Sequence, residues 1–240
     1  YIVLHAEPAL DSAAGQSAVD TLKAAQFTVA LTPYMSAARD WARVMLPIAP
    51  FTETSGTFVN AQGSVQSFKG TVPGFAQSHP GWQVLRVLGN LLNMPGFDEE
   101  SSEAVRDTIV ASSFQDRLSN AIKGSLDTTI LPPQAESTAH TLERVADLPI
   151  YRSDAVVRRS EPLQATQASR QPVAQVHAET LKALGLNVGD AVKVKTVTGE
   201  WLTTVEADQT LPQWAIRVAS GFESTSVLGL SSNPLHLERA

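Results

Sequence analysis

Three short apolar runs near the start of the chain restrict its architecture more than any other feature. Tyr1-Ile2-Val3-Leu4, Phe27-Thr28-Val29-Ala30-Leu31 and Val44-Met45-Leu46 are too short for buried helices and show no apolar–polar alternation. They read as buried strands, and strands apolar on both faces belong in a parallel sheet with helices packed on it and right-handed crossovers. The segments between them carry helical signals. Asp11 and Ser12 can cap a helix whose apolar stripe holds Val19, Leu22 and Ala25, and Ser36 can cap a short helix over residues 37–42. The expected start is strand–helix–strand–helix–strand, a Rossmann-like α/β layer.

A polar, glycine-bearing loop follows the third strand. In open α/β sheets, loops at the carboxyl ends of strands are where ligands bind. Residues 57–59 and 64–68 are extended runs, and Asn60-Ala61-Gln62-Gly63 between them has hairpin-turn composition. Pro80 is expected in the first turn of a helix whose apolar face is Val84, Leu85, Leu88, Leu91 and Leu92, ended by Pro95-Gly96. Asp98-Glu99-Glu100 precedes another helix, with Val105, Ile109, Leu118 and Ile122 on its apolar side. Residues 125–141 contain Pro132-Pro133 and small polar residues, the composition of an exposed connection.

From about Gln164 the pattern changes to short strands and turns. Residues 173–176 form a strand candidate, and residues 179–184 form one or two helical turns stopped at Gly185. Gly189-Asp190 turns into Ala191-Val192-Lys193-Val194-Lys195, whose period of two sends the valines inward and the lysines to solvent. Thr198-Gly199 leads into residues 201–205, and residues 215–218 are a further strand. Short strands separated by turns suggest a small closed barrel. The expected division is an α/β domain over 1–145, a linker over 146–164 and a barrel over 165–240.

Composition excludes several functions. A net charge of −6 offers no general attraction to nucleic acid. No apolar run approaches the ~20 residues that span a bilayer, so direct membrane insertion is not expected. Cysteine is absent, which removes disulfides, thiol nucleophiles and cysteine-ligated clusters from this chain and fits a cytosolic compartment. Opening inside an apolar strand, without a basic leader, reads as an excised piece of a longer protein, with a processed mature start as the alternative.

Motifs for catalysis are missing: there is no G-x-S-x-G, G-x-x-x-x-G-K or H-E-x-x-H. His5, His79, His140, His177 and His236 are scattered and lack the spacing of metal ligands on a helix. Glu53-Thr54-Ser55-Gly56-Thr57 could offer hydroxyls, a carboxylate and amides to a polar ligand, but the same residues commonly stabilise a turn. Glu99, Glu100 and Glu103 read as a solvated helix start. Arg158-Arg159 could anchor an acidic patch of a partner, or could simply be solvated.

These runs together resemble the molybdopterin oxidoreductase-like family. Ala42-Arg43-Val44-Met45-Leu46-Pro47 and the stretch from Glu53 to Ser64 follow that family's A-D-V-V-L-P and E-x-x-G-T-x-x-N-x-E-G-R pattern. Residues 175–221, with Leu184-Gly185-Leu186 and Gly189-Asp190, resemble its C-terminal double-psi β-barrel. The runs at 51–60 and 80–90, Pro149-Ile150-Tyr151 with Asp154, Val157-Arg158-Arg159 and Leu163-Gln164 resemble the branch built into respiratory NADH–quinone oxidoreductase (complex I). The chain departs from the pattern at Arg43, where the family is acidic, and at Gln62-Gly63-Ser64, where E-G-R loses both charges.

The resemblance implies an α/β fold: a Rossmann-like parallel sheet with flanking helices, then a C-terminal double-psi β-barrel. It marks Thr54, Ser55, Gly56, Asn60 and Gly63 as relics of a pterin loop. It implies no catalytic residue, metal or cofactor in this fragment, with iron–sulfur clusters expected in an N-terminal region of the parent subunit. The expected partners are that region and other peripheral-arm subunits, on the cytoplasmic face of the membrane. The expected role is a structural one in electron transfer from NADH to quinone. Two alternatives stay open: the C-terminal piece of a molybdopterin enzyme such as a formate dehydrogenase or nitrate reductase, and a free-standing binding module.

Overall fold

The computed structural model describes residues 1–110 and 140–240. In chain order the first elements are β1 (Ile2–Leu4), α1 (Pro8–Asp11), α2 (Gln16–Ala24), β2 (Val29–Thr32), β3 (Val44–Pro47), β4 (Gly56–Val59), β5 (Val65–Phe68), α3 (Gly81–Leu91) and α4 (Ser102–Ile109). They are followed by β6 (Glu143–Val145), α5 (Glu161–Gln164), β7 (Ala174–Val176), α6 (Ala178–Ala183), β8 (Ala191–Lys195), β9 (Glu200–Ala207), β10 (Ala215–Arg217) and β11 (His236–Arg239). Two units result. Among the described residues, one holds 1–5 and 26–110, the other 6–25 and 140–240.

The first unit is built on the expected parallel sheet, in the order β1-β2-β3. Ala30 and Leu31 of the central strand are buried. The two outer strands are not buried as the sequence suggests: Ile2 is 54% exposed and Val44 and Met45 are each 37% exposed. Among the described residues of this sheet, only β2 has a strand on both sides, so apolar content alone does not tell a central strand from an edge. Thr28 sets the approach to β3, its Oγ1 donating to the Trp41 carbonyl at 2.9 Å while accepting from the Arg43 amide at 3.2 Å. In place of the helix expected over 37–42 there is a 3₁₀ turn at Met35–Ala37, with no side-chain cap from Ser36.

The hairpin is as expected. β4 and β5 pair antiparallel from Gly56↔Phe68 to Val59↔Val65. Asn60 Oδ1 accepts from the amides of Gln62 and Ser64, and Gly63 supplies the positive φ of 81° that closes the turn. Pro80 is the N-cap of α3 rather than a residue of its first turn. That helix stops before Pro95-Gly96. Asn93 takes a left-handed φ of 53°, its amide bonding to the Asn90 carbonyl and the Met94 amide to the Gly89 carbonyl, a Schellman termination. Ser101 caps α4, its Oγ accepting from the Ala104 amide at 3.0 Å. Leu118, Ile122 and nearly all of the connection expected at 125–141 lie outside the described residues.

In the second unit α2 begins after Gly15, which carries no side-chain cap, so Asp11 and Ser12 do not cap it as expected. Asp11 instead accepts from the Glu7 amide at 2.7 Å. Six strands follow the order β11-β8-β9-β7-β10-β6, with parallel pairs β7–β9 and β6–β10 and the rest antiparallel. The sheet closes on itself: Leu142, just before β6, and Leu235, just before β11, exchange backbone hydrogen bonds of 2.8 and 3.1 Å. The result is the expected double-psi barrel. Val176, Val192, Val194, Trp201, Val205 and Ile216 fill it, as the alternation along β8 requires. Lys193 and Lys195 are half-buried and paired with Glu200 and Glu238 instead of lying free in solvent. The barrel sheet takes β6 from residues before 146, and residues 146–164 carry α5 and two 3₁₀ turns.

Candidate functional site

The loop after β3 begins with a 3₁₀ turn at Phe51–Glu53. Glu53 accepts from the Phe75 amide at 2.9 Å. Thr54 Oγ1 donates to the Ser55 carbonyl, and Ser55 Oγ lies 2.6 Å from Ser102 Oγ. Gly56 sits against the Phe68 ring, where an added Cβ would come within 2.7 Å of it. Thr54, Ser55 and Gly56 are therefore adjacent, and the last two border a cavity of about 290 Å³. Asn60 and Gly63 lie apart from them in the hairpin turn. Gln62 and Ser64, the positions that lost the family's charges, give their amides to Asn60.

The turn at Gly185 to Asp190 is also internally satisfied. Gly185 and Gly189 take positive φ values of 68° and 89°. Asp190 accepts from the Asn187 amide at 2.9 Å and pairs with Arg239 at 2.7 Å. These contacts, the amide foremost, hold its carboxyl below the ordinary aspartate value.

Among the described residues, one connected charged cluster joins residues far apart in sequence. Arg158 Nε and Nη2 each reach a carboxylate at 2.8 Å, Glu7 and Asp11 respectively, while Nη1 donates to the Arg152 carbonyl at 2.9 Å. Arg159 Nη2 pairs with the other Glu7 oxygen, and its Nη1 donates to the Ala155 carbonyl. The Arg158 side chain is only 4% exposed and that of Glu7 10%. Arg158 is thus neither solvated nor offered to a partner, as the sequence suggests. It is neutralised from residues 7 and 11. No local pattern marks Glu7, because its partners lie about 150 positions away. Arg152 stacks on Phe222 at 4.2 Å and shares with these arginines a cavity of about 440 Å³. Burial, with Arg158 adding to it, pulls the Arg152 guanidinium below its ordinary pKa.

Among the described residues no group of three His, Cys, Asp or Glu is placed to hold a metal ion. His177 Nδ1 accepts from the Glu179 amide and caps α6. Among the same residues no helix is long and apolar enough to cross a membrane.

Comparison with known proteins gives two family matches in chain order. Residues 1–91 match the molybdopterin oxidoreductase family, and residues 149–236 match the "Molydopterin dinucleotide binding domain". The G subunit of NADH-quinone oxidoreductase from Mycobacterium bovis is 29% identical over 195 residues, 80% of this chain and 23% of the relative. The G subunit from Mycobacterium tuberculosis matches to the same extent. The chain thus spans about a quarter of the length of these curated relatives. Acetylene hydratase from Pelobacter acetylenicus superposes with a TM-score of 0.65 at 14% identity, covering 100% of this chain and 44% of the hydratase. That likeness concerns fold alone.

A pterin dinucleotide brings a pyrophosphate, which needs free guanidinium, hydroxyl or amide donors. The Thr54 and Ser55 hydroxyls have partners within the chain, and Arg158 and Arg159 already hold carboxylates.

Proposed function

We propose that the chain is a molybdopterin oxidoreductase-like, non-catalytic, structural C-terminal region of a G-type subunit of NADH–quinone oxidoreductase. Electrons pass from NADH to quinone through other domains, whose iron–sulfur clusters lie in an N-terminal region of the same subunit. This region contributes a packed α/β body and barrel to a peripheral arm on the cytoplasmic face. Its contacts are with that N-terminal region and neighbouring arm subunits.

The observation that carries the reading is the internal use of the candidate ligand groups. The loop hydroxyls, the Asp190 carboxylate and the Arg158 and Arg159 guanidinium groups all bond within the chain. The similarity to G subunits over 80% of the chain supports the assignment of complex.

The test separates assembly from turnover. Thr54→Ala and Ser55→Ala are placed in the subunit, and assembled complex is quantified on native gels beside NADH–quinone activity. Activity per assembled complex is expected to stay unchanged. A variant that assembles fully but turns over about ten-fold more slowly, a barrier change of ~1.4 kcal/mol, overturns the reading. One equivalent of molybdenum per chain by elemental analysis does so too.

A further inference from the structure

The arginine cavity of the second unit has the makings of an anion receptor. Three guanidinium groups, from Arg152, Arg158 and Arg159, border one space of about 440 Å³. Such forks recognise phosphate groups in pairs of parallel hydrogen bonds. Against them stand three carboxylates. Glu223 lines the same cavity, Glu7 receives one bond each from Arg158 and Arg159, and Asp11 receives the remaining fork of Arg158. Glu7 bridges two neighbouring guanidinium groups with its two oxygens, the arrangement an external oxyanion would adopt.

We propose that Glu7 and Asp11 are built-in anions: their carboxylates occupy the guanidinium forks of Arg158 and Arg159 and thereby keep this cavity from taking phosphate-bearing ligands. Several features support the assignment. α1 begins at Pro8, whose fixed φ suits a first helical position, and this short turn places residues 7 and 11 one helical turn apart. The Asp11 carboxylate accepts from the Glu7 amide, so the two acidic residues are held as one unit. Gly15, just beyond, lies so close to the Ser226 carbonyl that an added Cβ would come within 2.1 Å. The segment bearing both carboxylates therefore packs tightly against the barrel. A third carboxylate, Glu223, already offsets the charge of Arg152, so an external dianion would meet no net positive charge.

The inference rests on the framework reading above, but a titration with inorganic pyrophosphate does not depend on how the chain serves its complex. The two can fail separately. Thermal unfolding is measured with and without pyrophosphate, against sodium chloride at matched ionic strength. The native chain is expected to show no specific rise in Tm. Glu7→Gln, which frees a fork on both arginines, is expected to gain about 5–10 °C when pyrophosphate is roughly 100-fold above its Kd. The gain should vanish in the triple variant E7Q/R158M/R159M. If E7Q folds only when pyrophosphate is present, the proposal is supported. If it folds under neither condition, Asp11→Asn decides: its more exposed carboxylate leaves Glu7 in place, and a rise in Tm with pyrophosphate supports the proposal while no rise overturns it. Specific binding by the native chain, or a folded E7Q that ignores pyrophosphate, overturns it as well.

Discussion

Replacing Arg158 by Met keeps much of the side-chain volume and removes the charge. The substitution leaves Glu7, with a side chain only 10% exposed, to Arg159 alone, and strips Asp11 of its bond to Arg158. Removing one partner of a buried ion pair costs about 3–5 kcal/mol because the other charge stays desolvated. Two features reduce that here. Glu7 keeps the Arg159 contact, and the Asp11 side chain is 28% exposed, so water screens part of its loss. The expected loss is therefore about 2–3 kcal/mol, or a Tm lower by roughly 10 °C for a unit of this size. Arg159→Met is the internal comparison. The Arg159 side chain is 31% exposed, so water screens more of its ion pair with Glu7, and its loss should cost about 1 kcal/mol. Thermal and urea unfolding followed by tryptophan fluorescence measure both, since Trp201 lies in the barrel core. Combining R158M with E7Q should cost less than the sum of the single variants by at least about 1 kcal/mol. An R158M effect no larger than that of R159M would refute the claim that this cluster is buried and cooperative.

Two further outcomes follow from packing and from protonation. Gly89→Ala in α3 should destabilise, although alanine gains about 1 kcal/mol of intrinsic helix propensity. An added Cβ there would meet the Phe97 ring within 2.3 Å, and overpacking of that kind costs about 1–3 kcal/mol. In a Phe97→Ala background the sign should reverse, which circular-dichroism melts of the four proteins would establish. For His5, burial lowers the pKa below the ordinary imidazole value. The folded chain then binds fewer protons than the unfolded one between the two values. Stability should be complete above the ordinary value and decline as pH falls through the folded value. His5→Asn, which tolerates the positive φ of 52°, should flatten that decline in melts between about pH 7.5 and 5.

Much of the architecture is legible from local pattern. The period of two along β8 sorts Val192 and Val194 from Lys193 and Lys195, and the turn residues of 60–63 fit a single hairpin register. Nearest-neighbour chemistry governs those features, so a short window suffices to read them. The helix stop at Asn93 is equally local. The more familiar Pro95-Gly96 pair draws the eye past it, although Asn is the residue other than glycine best suited to a left-handed cap.

Long-range pairing is a different matter. Apolar content places strands in a sheet, but which strand lies in the middle depends on partners, and so β2 is buried while Ile2 and Val44 are exposed. Closure of the barrel depends on Leu142 meeting Leu235, and the fate of Arg158 depends on Glu7. A charged side chain in isolation reads as solvated, because leaving water is costly until an opposite charge is brought within bonding distance. The sequence determined the kinds of element, most of their faces and the family resemblance. Only the tertiary structure decided which charges cancel, since the energy of an ion pair depends on distance in space and not along the chain.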